Sequence, residues 1–403
     1  MEQVLYKLPD GWEWSNLTDI CTPSRKTVEP NPEEQYNYIG LENIESHTGK
    51  VISDSPTKGS EISSTKVSFK KGMVLYGKLR PYLNKVVVAK IDGIATTEII
   101  PFECSDAISP DFLAYYLRSQ YFVDLAMNNC SGARMPRATT KLFTQIAKVP
   151  VTSITEQKRI VEKLDALLTR IDSAIEHLQE SVTLADALYA SSLDQVFEKV
   201  YLDYSTKPLS ILASKIGSGA TPKGGQKAYK ESGISLIRSL NVYDSEFKPE
   251  GLAFIDDDQA EKLSNVVVEE GDVLLNITGA SIARCCVAPV ELLPARVNQH
   301  VCIIRPNEEL NSTYLNYLLI SPKFKAALLF QGAGGATRQA LTKVMVSNLE
   351  IPLPPLKIQT ELVGKVNLFS QKNRALKEQV NSKVSDLITL KASILDSAFK
   401  GEL

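Results

Sequence analysis

The side chains best suited to chemistry crowd into Gly77-Lys78-Leu79-Arg80-Pro81-Tyr82-Leu83-Asn84-Lys85. An arginine can pair bidentately with guanine O6 and N7, an asparagine with adenine N6 and N7, and a lysine with phosphate. Gly77 and Pro81 mark the stretch as a loop, which gives those groups reach. At an offset of 199 a second stretch reads Asn276-Ile277-Thr278-Gly279-Ala280-Ser281-Ile282-Ala283-Arg284, poorer in charge but still rich in hydrogen-bonding groups. Two aligned loops of different chemistry suit a pair of readers for two different ligands.

Catalytic groupings are missing from the sequence. The three histidines (His47, His177, His300) are too scattered to form a recognisable triad or metal cluster. Gly332-Ala333-Gly334-Gly335-Ala336-Thr337 lacks the lysine of a phosphate loop. Such a turn can hold a single phosphate on backbone N–H groups, but an irregular connector is the simpler reading. No nucleophile elbow, paired-carboxylate signature or dinucleotide fingerprint is present. The chain reads as a binder.

The charge distribution indicates the kind of ligand. The net charge is only −2, yet Ser64–Ile91 carries seven basic residues (Lys66, Lys70, Lys71, Lys78, Arg80, Lys85, Lys90) and no acidic one. Leu125–Thr155 and Leu310–Leu349 each hold four basic residues and none acidic, whereas Glu156–Lys199 has nine acidic against five basic. Acid-free windows at matched places in two halves point to an anionic partner.

Those loops sit inside a duplication. Val149-Pro150-Val151 returns as Ile351-Pro352-Leu353, Ile154 and Gln157 as Leu356 and Gln359, and Phe112-Leu113-Ala114-Tyr115 as Tyr314-Leu315-Asn316-Tyr317, all at an offset of 202. Lys71–Leu75 pairs with Glu270–Leu274 at 199, and Ile39 with Ile237 at 198. So long a period implies a duplicated domain-plus-helix unit rather than a solenoid.

Within each copy, short apolar strands give way to one helix and then to a long one. Strands are expected at Asn37–Ile44, Met73–Tyr76, Asn84–Ala89 and Glu98–Phe102, then a helix at about Asp111–Met127. The second copy repeats this at Ile234–Val242, Val273–Thr278, Arg284–Val287 and His300–Ile304, with a helix at about Thr313–Leu329. After Thr155 the period changes: Val161, Leu164, Leu168, Ile171, Ile175, Leu178, Val182, Ala185, Tyr189, Ser192 and Val196 alternate steps of three and four. That heptad seam predicts a helix of roughly 40 residues, about 60 Å at 1.5 Å per residue. A weaker seam follows from about Lys357 to Phe399, through Leu362, Val366, Phe369, Leu376, Val380, Val384, Leu387 and Ile394, interrupted by Asn373. Neither one-striped helix is stable alone in water, so the two are expected to pack on each other. The fold class is therefore α+β, with two globular domains alternating with two long helices that pack on each other.

The remaining composition is that of a globular protein: 43% hydrophobic and 23% charged residues. Six cysteines show no C-x-x-C spacing and read as reduced, mostly buried thiols. The opening MEQVLYKLPDGWEW has no apolar core of a signal peptide, and no run of 18 apolar residues exists, so a cytoplasmic location away from membranes is expected.

The order of these features resembles the specificity subunit of type I restriction-modification systems over essentially the whole chain. The matching residues are Leu8-Pro9-Asp10-Gly11-Trp12, the strand starts Gly72-Met73-Val74 and Gly271-Asp272-Val273, and Ile154-x-x-Gln157-Lys158-x-Ile160-Val161-x-Lys163-Leu164-Asp165. Ile351-Pro352-Leu353-Pro354-Pro355 and the closing Ser393-Ile394-Leu395-Asp396-Ser397-Ala398-Phe399-Lys400-Gly401-Glu402-Leu403 complete the set. The resemblance implies an α+β fold of two target-recognition domains alternating with two long helices that pair as an antiparallel coiled coil, each domain reading half of a bipartite site in double-stranded DNA and the helices setting the unread spacer. It also implies two modification subunits that methylate adenine with S-adenosylmethionine, and restriction subunits using ATP and Mg. This chain itself would then be non-catalytic and carry none of these cofactors.

Domain limits of 1–152, 153–202, 203–354 and 355–403 follow from that layout. Expected DNA contacts are Arg25, Lys26, Lys78, Arg80, Tyr82, Asn84, Lys85, Arg134 and Arg137 in the first domain. In the second they are Lys223, Arg238, Asn276, Thr278, Ser281, Arg284, Asn298 and Arg338. Two rivals remain. A methyltransferase with its own recognition domain needs an Asn/Asp-Pro-Pro-Tyr/Phe tetrapeptide, and Leu353-Pro354-Pro355-Leu356 lacks both ends. A protein-only scaffold holding two binding heads would show no salt-dependent binding to duplex DNA.

Overall fold

The computed structural model describes residues 3–53, 56–222, 224–332 and 340–403. The chain forms two compact units, Met1–Leu178 with Asn381–Leu403, and Gln179–Val380. Each contains two small four-stranded sheets. In the first unit one sheet runs Cys21–Pro23, Ile99–Cys104, Val74–Gly77, Val86–Val88. In the second unit Ala213–Ser218, Val301–Pro306, Val273–Asn276 and Cys285–Val287 repeat that order. The other sheets share three strands but differ at an edge. Thr27–Val28 is added beside Lys66–Phe69 in the first unit, and Ala253–Ile255 beside Ile234–Ile237 in the second. The duplication thus preserves the sheet centres, where both faces are buried, and varies the edges.

The single helix expected in each copy is two. In the first unit α1 (Pro110–Arg118) and α2 (Gln120–Asn128) break at Ser119, whose backbone is extended and whose Oγ accepts from Phe122 N. Ser-type caps satisfy free N–H groups and let a new helix start at once. The central helix α3 spans Ile154–Asp203. In the second unit α4 (Ser312–Ile320) and α5 (Pro322–Gly332) part at Ser321, where Pro322 has no N–H to continue the first helix. The last helix, α6, spans Leu356–Phe399. Among the described residues no helix is long and apolar enough to cross a membrane.

The long helices grow out of the domain cores. In the first unit Ile160, Leu164 and Leu168 of α3 join Val74, Phe102, Phe112 and Tyr116 in one buried cluster. Phe399 closes that cluster, edge-on to Phe112 and Tyr116 at 5.1 and 5.2 Å. In the second unit Leu193, Phe197 and Val200 do the same with Tyr314, Leu318 and Val366. A buried glutamine locks each junction. Gln157 accepts from Ser109 N at 2.8 Å and donates to the carbonyls of Ala107 and Thr152. Gln359 accepts from Asn311 N at 2.8 Å and donates to Glu309 and Pro354.

The two long helices pair as an antiparallel coiled coil. Within the first unit Lys391 of α6 donates to Asp172 of α3. Within the second, Asn373 and Lys377 reach Asp186 at 2.8 and 2.9 Å. On α3, Leu164, Leu168 and Ile171 are buried, and Val161, Ile175, Leu178 and Val182 half-buried. On α6 the inward run is Val366, Ser370, Asn373, Lys377, Val380, Val384, Leu387, Lys391, Ile394 and Ala398, in steps of four and three, with Leu362 half-buried near its start. Phe369 and Leu376, expected in this seam, are 45% and 39% exposed. Lys377 rather than Leu376 continues the four-and-three spacing between Asn373 and Val380, and Asp186 lies opposite to pair with it.

Candidate nucleic-acid interface

The loop after strand Val74–Gly77 has a stiff backbone. Arg80 and Asn84 both adopt left-handed conformations (φ 52° and 51°) around a single 3-10 turn at Pro81–Leu83. For residues with a Cβ this conformation is strained, so surrounding bonds must hold it. Gly77 N donates to Lys85 O at 2.9 Å and Arg80 N to Pro136 O at 2.7 Å. The second domain repeats the plan with Gly279 and Ala283 left-handed (φ 78° and 65°) around a 3-10 turn at Gly279–Ser281. Here Asn276 N and Ala283 N close the loop at 2.8 Å each. One backbone frame therefore carries two different sets of side chains.

Lys78 and Arg80 stand on the first loop, Arg80 exposed and Tyr82 44% exposed. Arg134 is also exposed, and Arg137 is half-buried and joined to Glu98. Among the described residues neither Arg80 nor Arg134 has a carboxylate partner, so their charge is open to an anion. Arg25 and Lys26 are exposed on the approach to the edge strand Thr27–Val28. No ion pair or hydrogen bond links their side chains to the loop among the described residues.

Three expected base readers turn inward. Asn84 is 9% exposed and gives its amide to Arg118 O at 2.8 Å. Asn276 is fully buried and donates to Ser239 O at 2.9 Å, while Asn298, 4% exposed, accepts from His300 N. These amides hold loops in shape, and their burial keeps them from reading an edge. Lys85 donates to Leu41 O at 2.6 Å from a half-buried position. Lys66, counted in the basic window, is buried against the carbonyls of Ser63 and Ser64, and desolvation lowers its pKa. Asparagine and lysine have the same letters whether they face water or backbone, which is why sequence could not separate them. Lys223, Arg338 and the residues 333–337 of the glycine-rich stretch lie outside the described residues.

In the second domain an open groove of about 680 Å³ is lined by Ser239, Tyr243, Thr278, Ser281, Arg284 and His300. Arg284 and Lys248 each bring positive charge over the Tyr243 ring, at 4.5 and 4.3 Å. Arg238 is bound instead to Gly251 O and lies 5.2 Å over the Tyr229 ring. Sequence reading passed over Tyr243, Lys248 and His300; the offset of 202 between Glu98 and His300 was the available signal.

A family model described as the type I restriction modification DNA specificity domain matches residues 9–184 and 212–385, most of the chain and one match in each copy of the repeat. The chain belongs to the type I restriction-modification specificity subunits. It is similar to the StySPI specificity subunit of Salmonella potsdam, 22% identical over 98% of this chain and 90% of the relative. The EcoDI specificity subunit of Escherichia coli is 25% identical, but there the match spans 56% of this chain and about half (53%) of the relative. Among solved structures, one from a study of complex assembly and conformational transition in the type I R-M system matches with a TM-score of 0.81. It is 26% identical and covers 99% of this chain and 100% of that one. The HsdS subunit from Thermoanaerobacter tengcongensis matches with a TM-score of 0.56 at 25% identity, covering 99% of each chain. The two sheet-and-helix domains are thus the DNA-recognition domains of a specificity subunit, the non-catalytic component of a type I enzyme.

Proposed function

We propose that this specificity subunit reads a bipartite, asymmetric target in double-stranded DNA, one half-site per domain. The observation that carries this reading is the repeated loop: the same left-handed, 3-10, left-handed backbone holds Arg80-Pro81-Tyr82 in one domain and Gly279-Ala280-Ser281 in the other. Equal frames with unequal side chains fit two unlike sequences, and phosphate contacts from Lys78 and Arg134 fit the polyanion.

The paired helices then carry the rest of the enzyme. Two modification subunits dock on α3 and α6, where Leu184, Leu188, Phe369 and Leu376 leave apolar surface at the outer side of the seam. S-adenosylmethionine belongs to those subunits, and ATP with Mg to the restriction subunits. The helix length sets the unread spacer.

Exchanging residues 1–152 for the first domain of a relative tests this. Methylated adenines mapped in host DNA should change in one half-sequence only, with the other half and the spacer kept. A hybrid that folds and alters both halves would favour a single composite DNA surface. Each domain has its own buried core, which is why an exchange should be tolerated.

A further inference from the structure

Each domain presents a second turn beside the first loop. Thr96–Ile99 links the strand Gly93–Ala95 of one sheet to Ile99–Cys104 of the other, and Asn298–Val301 does the same 202 residues later. The backbones match. Ile99 N donates to Thr96 O at 2.9 Å and Val301 N to Asn298 O at 3.4 Å. Both turns are tied to the reading loop, Lys78 N donating to Glu98 O at 2.9 Å and Ile277 N to His300 O at 3.0 Å. The side chains differ, Thr97-Glu98 against Gln299-His300.

In the first domain the Glu98 carboxylate takes Arg137 Nε at 3.2 Å from both oxygens. The Arg137 side chain is 43% exposed, and its terminal nitrogens have no partner among the described residues. A carboxylate on Nε fixes the plane of the guanidinium and leaves the outer fork for a bidentate acceptor. In the second domain His300 Nδ1 lies 2.6 Å from Thr278 Oγ1, and His300 Nε2 lies 3.0 Å from Gln299 Nε2. The Thr221 hydroxyl donates to Gln299 Oε1, so the amide nitrogen faces the ring. His300 thus holds Thr278 and Gln299 through its two ring nitrogens, and the threonine hydroxyl and the exposed Gln299 amide keep capacity for a further hydrogen bond. His300 and Thr278 both line the groove beside Arg284. Donors and acceptors fixed in a plane beside a basic loop are what base edges require.

We propose that this turn is a second specificity determinant in each domain. Glu98 is a positioning residue that aims Arg137, and His300 is a positioning residue that holds Thr278 and exposed Gln299, which contact base edges of the second half-site. The inference rests on the bipartite reading above.

The test maps methylated adenines in cells carrying the full chain with its modification subunits, comparing the natural protein with Glu98→Ala, Glu98→Gln, Gln299→Ala and His300→Ala. Gln299→Ala and His300→Ala should relax one or two base pairs of the second half, with about ten-fold less discrimination there. The first half and the spacer should stay. Glu98→Ala should relax only the first half, and Glu98→Gln, which keeps an acceptor for Arg137, should largely restore it. Unchanged sequences in all three alanine variants overturn the proposal, as does a uniform fall in methylation at an unaltered sequence, the mark of a merely structural role. If His300→Ala lowers the thermal midpoint so far that the chain does not fold, exposed Gln299 decides the second domain. A natural-protein map without a bipartite sequence would overturn the parent reading, and this one with it.

Discussion

The amide of Asn84 donates to the carbonyl of Arg118 at 2.8 Å, tying the end of helix α1 to the end of the first reading loop. Arg118 is itself a hub: its guanidinium donates to Thr48 O at 2.6 Å and lies 4.4 Å over the Tyr115 ring. Burial lowers the Arg118 pKa, an effect that Tyr115 and the carboxylates of Asp165 and Asp111 oppose. Asn84→Ala loses the bond and keeps a Cβ in the left-handed region, so it should destabilise the first unit by about 1–2 kcal/mol. Asn84→Gly should cost less, because glycine accepts that backbone freely. Urea unfolding of the two variants checks the order; equal losses would mean the backbone conformation contributes nothing.

Arg80 and Lys78 should separate by salt dependence. Arg80→Ala is expected to weaken target binding by roughly 1–3 kcal/mol if the guanidinium reads a base. Lys78→Ala should instead reduce the slope of log affinity against log salt by about one, as for a single phosphate contact. Titrations of fluorescent duplex at several salt concentrations, using the full chain with its modification subunits, distinguish the two.

Removing either buried glutamine should be costly. Gln157→Ala strands Ser109 N and the carbonyls of Ala107 and Thr152, all at the junction of α3 with its domain. The expected loss is on the order of 3 kcal/mol, with Gln359→Ala similar because its three partners are equivalent. Chemical denaturation should give comparable shifts for both; a loss well below this for both would mean that water replaces the amide.

The ion pair in the seam has a pH signature. Burial alone would raise the Asp186 carboxyl, but hydrogen bonds from Asn373 and Lys377 and the lysine's charge outweigh it, so its pKa is lowered. A carboxylate depressed in the folded state contributes stability above its unfolded pKa of about 3.9 and loses it as pH falls through the folded value. Both partners are more than a third exposed, so solvent screening holds the contribution under about 1 kcal/mol. The stability gap between the natural protein and Asp186→Asn should therefore be present at neutral pH and shrink below about pH 4. A gap that grows on acidification contradicts the assignment.

Lengthening both helices tests the spacer. One matched heptad inserted after Ala185 and after Lys377 keeps the seam and adds about 10 Å at 1.5 Å per residue. That is about three base pairs at roughly 3.4 Å each. Methylation mapping should return both half-sequences with a gap longer by that amount. An unchanged gap would show that the helices are not the ruler.

The sequence by itself determined the duplication, the order of strands and helices, the long helices and the family. Each of these rests on a repeated or periodic pattern, and patterns survive without coordinates. It did not determine which polar residues face outward. Lys66, Asn84, Asn276 and Asn298 belong to basic or hydrogen-bonding stretches, yet each is buried on a backbone group, Lys66 and Asn298 on close neighbours in sequence, Asn84 and Asn276 on Arg118 and Ser239 of distant segments. The seam of α6 departs from the expected one at Phe369 and Leu376, where Ser370 and Lys377 lie inward, Lys377 facing Asp186. Helix breaks at Ser119 and Ser321 and the facing of Glu98 to Arg137 likewise depend on what packs alongside. Hydrophobic periodicity fixes which faces are buried, but the pairing of buried polar groups is settled only when remote segments meet, because unpaired they cost more than most single contacts return.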